Sequence, residues 1–155
     1  MGIFNLNSLS NFLSSRLLNI PRNRFHPTVW ILGNPKISKG VYIGGFSEIN
    51  CRESEIFIGE DCDIASFVSI NCADSHKTTL GLSKSIQRKP IWIGKNVFIG
   101  THSVVKGGAV IGSYSVIAAG TIVDSSSIIP EGSLVFGNPM KIKKGYYLKK
   151  LGNHD

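Results

Sequence analysis

From Ile93 onward the chain places an aliphatic residue at every sixth position: Ile93, Ile99, Val105, Ile111, Ile117, Val123, Ile129 and Val135. The fifth residue of each six is Val97, Ser103, Ala109, Ser115, Thr121, Ser127, Ser133 or Pro139, mostly small. The second residue is often Gly94, Gly100, Gly112, Ala118 or Asp124. A helix needs apolar positions three to four apart and a lone strand needs alternation, so a period of six fits neither. Each hexapeptide makes one short extended face and one corner. Three such faces close one triangular coil, and the repeat is the signature of a parallel β-helix. The aliphatic leads then point inward and stack on their counterparts one coil away, and the small fifth residue fills the cramped inside of a corner. Gly or Asp after the lead is expected to serve a turning backbone, because these residues tolerate unusual φ. A β-sandwich of short strands would not keep one phase over so many repeats.

The same phase holds upstream at Ile31, Ile37, Ile43 and Ile49, slips by three residues around Cys51–Ser54, and resumes at Ile58, Ile64 and Ile70. From residue 73 to 89 it disappears into a polar segment, and Pro90 precedes its return. A long loop inside a compact repeat domain is a place where function concentrates. Three regions follow: an N-terminal amphipathic helix and linker over 1–28, a β-helix over 29–140 interrupted by the loop 73–89, and a basic tail over 141–155. Within the first, Leu9, Phe12, Leu13, Leu17 and Ile20 fall at helical spacing over residues 4–20, and Pro21 ends the pattern. Such a helix would dock on the solenoid or a neighbouring chain. Peripheral contact with a membrane surface, helped by Arg16, Arg22 and Arg24, is the other role open to it. The tail carries Lys141, Lys143, Lys144, Lys149 and Lys150, with room for one short helix.

Composition narrows the partners. A formal net charge of +7 over 155 residues suits nucleic acid, a membrane or a phosphate-bearing ligand. No nucleic-acid-binding motif accompanies it, and the lysines gather near the C-terminus, which favours the ligand and argues against nucleic acid. Cys51, Cys62 and Cys72 are odd in number and lack CxxC spacing, so disulfides and zinc are not expected and a reducing cytoplasm is. Cys62 takes a fifth position and is expected to be buried. No apolar run reaches the length of a membrane span, and the N-terminus lacks a basic segment followed by a continuous apolar one.

The repeats, the loop with His76, the segment Pro90-Ile-Trp-Ile-Gly-Lys-Asn-Val-Phe-Ile-Gly and the ending Gly137-Asn-Pro resemble the hexapeptide-repeat acyltransferases. The likeness is nearest to sugar acetyltransferases of the maltose, galactoside and cell-surface polysaccharide groups, and spans roughly residues 29–144. It implies a left-handed parallel β-helix, against the usual right-handed crossover. It also implies a homotrimer with sites in the clefts between subunits, acetyl-CoA as co-substrate, a sugar or nucleotide-sugar acceptor, direct transfer, and no metal. By the same resemblance His76 matches the catalytic base, and Asn71 and Asp74 match acceptor-binding positions. Thr101 and Ala119 match backbone positions along the pantetheine arm, and Lys141 and Lys144 match residues near the nucleotide phosphates. Two departures stand out. Phe98 occupies a position where the family often has Trp, and the turn Asp124-Ser-Ser-Ser-Ile-Ile-Pro130 is longer than the family's common form.

The residues themselves agree with that chemistry. Transfer to a hydroxyl or amine requires proton removal as the nucleophile attacks the thioester, work suited to an imidazole. Thr101, Ala119 and Gly137 follow one another at intervals of three hexapeptides, one full coil each. They therefore stack along one corner and can offer a ladder of backbone groups to a linear donor. His102 is either an outward-facing repeat position or a second site residue. A metal site of the γ-carbonic anhydrase type would need a further histidine where the chain has Gly107. A catalytically inert β-helix, serving as a structural or assembly subunit, would keep the repeat but would not need His76 or its loop. The acceptor, and whether oxygen or nitrogen is acylated, are not written in the sequence.

Overall fold

The computed structural model describes residues 23–151, together with Leu13 and Leu17. The helix expected over 4–20 lies outside the described residues, apart from Leu13 and Leu17, which are helical and exposed. The rest is a left-handed parallel β-helix of three sheets. One face stacks the strands Trp30–Leu32, Glu48–Asn50, Ser69–Asn71, Val104–Lys106 and Ile122–Val123. The second stacks Lys36–Ile37, Ile56–Ile58, Ile91–Ile93, Val110–Ile111 and Ile128–Ile129. The third stacks Tyr42–Ile43, Asp63–Ile64, Phe98–Ile99, Val116–Ile117 and Leu134–Phe136.

The register is the sixfold pattern made solid. On the first face Ile31 pairs with Ile49, Ile49 with Ile70, Ile70 with Val105 and Val105 with Val123. On the third, Ile43, Ile64, Ile99, Ile117 and Val135 follow one another. The pairing absorbs both interruptions. Ile70 lies one coil plus the slip beyond Ile49, and Val105 lies one coil plus the loop beyond Ile70. The leads Ile49, Ile64, Ile70, Ile93, Ile99, Val105, Ile117, Val123 and Val135 have no exposed surface. Fifth-position hydroxyls share the core because each finds a partner: Ser103 Oγ donates to the Ala118 carbonyl at 3.0 Å, and Ser115 Oγ to that of Pro130 at 3.2 Å. Cys62, as its position predicted, is buried.

The corners correct the expected role of the glycines. The backbone turns through positive φ at the fourth position of each six, not the second. Phe46, Phe67, His102, Tyr114 and Ser126 sit there at φ between 57 and 61°, with Gly108 and Gly120 at 87 and 69°. The second-position glycines have ordinary φ. They are needed for close approach between coils: a Cβ on Gly100 would lie 2.5 Å from the Ala119 nitrogen, and one on Gly94 2.6 Å from that of Ser113.

Both interruptions leave the solenoid at the same corner and are tied together there. The segment 73–89 is a stemmed hairpin, with Ala73–Asp74 antiparallel to Gln87–Arg88 and one helical turn at His76–Thr79. Arg88 Nε meets Glu53 Oε2, in the three-residue slip, at 3.2 Å. At the C-terminal end the basic tail is more than a helix. Lys141–Lys143 turns back antiparallel to Leu134–Phe136, turning Ile142 towards the core, before the short helix Leu148–Leu151.

Candidate active site

The chain leaves the first face through Asn71, whose Oδ1 accepts the Ala73 N–H at 2.8 Å and bends the backbone outward. The stem closes when the Lys89 N–H donates to the Cys72 carbonyl at 3.1 Å. Asp74 and His76 therefore stand on an anchored base. Asp74 Oδ1 accepts from His76 Nδ1 at 2.5 Å and from the His76 backbone N–H at 3.2 Å. The side-chain hydrogen bond from His76, then the backbone one, holds the Asp74 carboxyl below its ordinary value, with the positive charge of Lys106 a smaller cause. Since a carboxylate only accepts, Nδ1 is the donor in this pair. Side chains of His76 and Asp74 are 57% and 38% exposed, open to a substrate. They border a cleft of about 480 Å³ that Ser69, Asn71, Lys89 and Lys106 also line.

Thr101 and Ala119 lie at the other end of the same face, in the corner before it. Neither backbone N–H has an acceptor among the described residues, so two unpaired donors stack one coil apart. Gly137 continues the corner, but its N–H is taken by Thr121 Oγ1 at 3.2 Å. Lys141 and Lys144 follow at the top, exposed and without an acidic or aromatic partner among the described residues. Lys143 and Lys150 instead sit over the Tyr146 ring, at 5.7 and 4.4 Å.

Of the residues singled out in the sequence, the fold thus gathers Asn71, Asp74 and His76 at one corner and Thr101, Ala119 and Gly137 at another. The extended strand between Thr101 and the loop corner sets them roughly 16 Å apart. The loop leaves the coil directly next to the one that Thr101 leads into, because Val105 stacks on Ile70. Sequence reasoning gave Asp74 to the acceptor and missed its grip on His76, although an acidic residue two positions before a loop histidine is a readable signal. It also missed Lys106, which only the coil stacking brings beside Asp74. His102 faces outward, its ring stacked 5.0 Å from that of Phe67. Among the described residues no group of three or more His, Cys, Asp or Glu could hold a metal ion, and no helix is long and apolar enough to cross a membrane.

Residues 90–125 match the family described as bacterial transferase hexapeptide (six repeats). No curated protein sequence matches the chain. Among solved structures it resembles the polysialic acid-specific acetyltransferase NeuO, at 29% identity and a TM-score of 0.61, over 75% of this chain and 56% of that one. It also resembles a galactoside acetyltransferase in complex with coenzyme A, at 27% identity and 0.55, over 79% and 65%. AntD, an N-acyltransferase from Bacillus cereus solved with coenzyme A and a dTDP-amino sugar, shares the fold at 18% identity and 0.69, over 84% and 74%. The chain therefore spans little more than half of the first of these proteins. The hexapeptide-repeat resemblance of the sequence, and its leaning towards sugar acetyltransferases, recur in these likenesses.

Proposed function

We propose that this hexapeptide-repeat chain is an acetyl-CoA-dependent acetyltransferase acting on a hydroxyl or amino group of a sugar, in a cell-surface polysaccharide precursor. The observation that carries the reading is the Asp74–His76 pair at the mouth of the cleft. His76 Nε2 takes the proton from the acceptor as its oxygen or nitrogen attacks the thioester carbonyl carbon. Asp74 steadies the imidazolium that results. When the carbon–sulfur bond breaks, the proton passes from His76 to the departing thiolate, and no acyl-enzyme forms. Asn71 and Lys106, facing the same cleft, are placed to hold acceptor hydroxyls and a negative charge.

The donor side is the corner of Thr101, Ala119 and Gly137, with Lys141 and Lys144 for the phosphates. A single subunit keeps this corner about 16 Å from the loop corner that carries His76. A homotrimer, in which the loop corner of one copy meets the donor corner of the next, closes that distance. Reaction in the cytoplasm fits three unpaired, buried cysteines. The test is thiol release from acetyl-CoA against a panel of sugars and nucleotide-linked amino sugars. His76→Ala should lose about 10²–10⁴-fold in kcat while keeping its fold and its affinity for CoA. No thiol release with any acceptor would favour the inert structural subunit, and a His76→Ala variant keeping more than about a tenth of kcat would remove His76 from the role of base.

A further inference from the structure

From Gly132 to Leu151 the chain carries five lysines, Lys141, Lys143, Lys144, Lys149 and Lys150, and no Asp or Glu. All five are exposed, and none has an ion pair among the described residues. Lysines near the other end of the solenoid are placed differently: Lys36 meets Glu55 at 3.4 Å and Lys39 meets Glu60 at 3.7 Å. Nor is the basic segment a loose thread. Lys141–Lys143 pairs with the last strand of the third face, the Tyr147 N–H donates to the Gly132 carbonyl at 2.8 Å, and the Leu148 side chain lies over Gly132. The charges are therefore displayed on a fixed cap at the last coil. Apolar groups stand among them: Tyr146, Leu148 and Leu151 are 36, 44 and 50% exposed. Lys143 and Lys150 close over the Tyr146 ring, whereas Lys141 and Lys144 do not.

We propose that this cap is a docking surface for an anionic membrane, with Lys143, Lys149 and Lys150 against lipid phosphates and Tyr146, Leu148 and Leu151 at headgroup level. The proposal goes beyond the acyl-transfer reading and does not depend on it. That reading uses Lys141 and Lys144 and leaves the other three lysines without a task. A soluble phosphate-bearing ligand would draw on the charge but gain nothing from two half-exposed leucines. A membrane surface rewards both, because basic side chains meet its negative potential while apolar ones leave water at the headgroup boundary. Tyrosine suits that boundary, with an apolar ring and a polar tip. A nucleic acid fits less well. The rings of Tyr146 and Tyr147 meet edge to face at 5.0 Å with Lys150 over both, so they form no flat platform for a base. The cap covers the last coil only, so a chain seated on it keeps the cleft beside His76, on the flank of the solenoid, open to an acceptor.

Flotation of the full chain with phosphatidylcholine vesicles, with and without phosphatidylglycerol, tests the surface. Binding is expected to the anionic vesicles alone, and should weaken as salt screens it. Each lysine near such a surface is worth about fivefold in partition, so Lys149→Gln combined with Lys150→Gln should bind about tenfold or more weakly. Leu151→Ser should lose severalfold without changing the salt dependence. These side chains are exposed, so both variants should unfold near the wild-type temperature and keep the wild-type affinity for CoA. Should the double variant not fold, Leu151→Ser carries the test. No binding to anionic vesicles, or equal binding to neutral ones, would overturn the proposal. Full binding by both variants would also overturn it, and would move the contact to the N-terminal segment. A chain that retains RNA but no vesicles would make the cap a nucleic-acid surface instead. A loss of CoA affinity with vesicle binding intact would give Lys149 and Lys150 to the donor phosphates and refute the membrane role.

Discussion

Gly100→Ala should destabilise the β-helix, although alanine has the better intrinsic propensity. The added methyl would meet three backbone atoms of the next coil: the Ala119 nitrogen at 2.5 Å, its Cα at 2.8 Å and the Ala118 carbonyl carbon at 3.0 Å. Backbone cannot rotate aside as a side chain can, so two coils must part. Overpacking of this kind costs about 1–3 kcal/mol. Stiffening of the unfolded chain returns about 0.4–1 kcal/mol. The net loss is about 1–2 kcal/mol, or about 2–8 °C in Tm for a domain of this size. Gly100→Asn should be at least as damaging, whereas Gly120→Asn, at positive φ in open space, should stay within about 0.5 kcal/mol of wild type. The assay is thermal and urea unfolding at one fixed protein concentration, since assembly would make Tm concentration-dependent. If Gly100→Asn proves as harmless as Gly120→Asn, the steric argument is wrong and glycine is there for its backbone freedom.

Three further outcomes are expected. Asp74→Asn should lower kcat by about tenfold or more, because His76 Nδ1 loses its charged hydrogen-bond acceptor; an unchanged kcat would leave Asp74 a structural role only. Lys144→Ala should weaken acetyl-CoA binding and reduce its salt sensitivity, and equal wild-type affinity for CoA and dephospho-CoA would argue against a role at the 3′-phosphate. Burial pushes the Cys62 and Cys72 thiols up, so folding favours their neutral forms. That contribution is complete below the ordinary thiol value of about 8.5 and fades as pH rises through the raised values. At pH 8 both should resist alkylation until the chain unfolds, and rapid labelling of either in the folded protein would contradict its burial.

The core was legible because burial in a solenoid repeats. Each lead, from Ile43 to Val135, answers to the same buried environment, so its position could be counted without seeing the fold. The slip at Cys51–Ser54 and the loop 73–89 were legible as breaks in that count. What escaped was whatever depends on contacts between coils. Lys106 reaches Asp74 from the coil beyond the loop, and nothing local in either segment points to the other. The turning positions escaped for another reason. Phe46, Phe67 and Tyr114 are poor candidates for positive φ by residue type, and the closed geometry of the coil overrides that preference. The strand Lys141–Lys143 reads as a charged run until its alternation, with Ile142 between two lysines, is seen against the last coil.

The loop enters and leaves the solenoid without displacing a single lead: Ile70 and Val105 pair as if it were absent. From Ala73 to Lys89 no residue is fully buried, so little of the free energy that holds the coils resides there. On the proposed function, recognition and durability are thus written in separate stretches of the chain. A hairpin of another length or composition could be spliced between Cys72 and Pro90, provided its stem still brings those two residues together. Chimeras that exchange this segment should melt like the parent while choosing different acceptors, and a lineage could change what it modifies through insertions at one corner, leaving the rack of isoleucines unaltered.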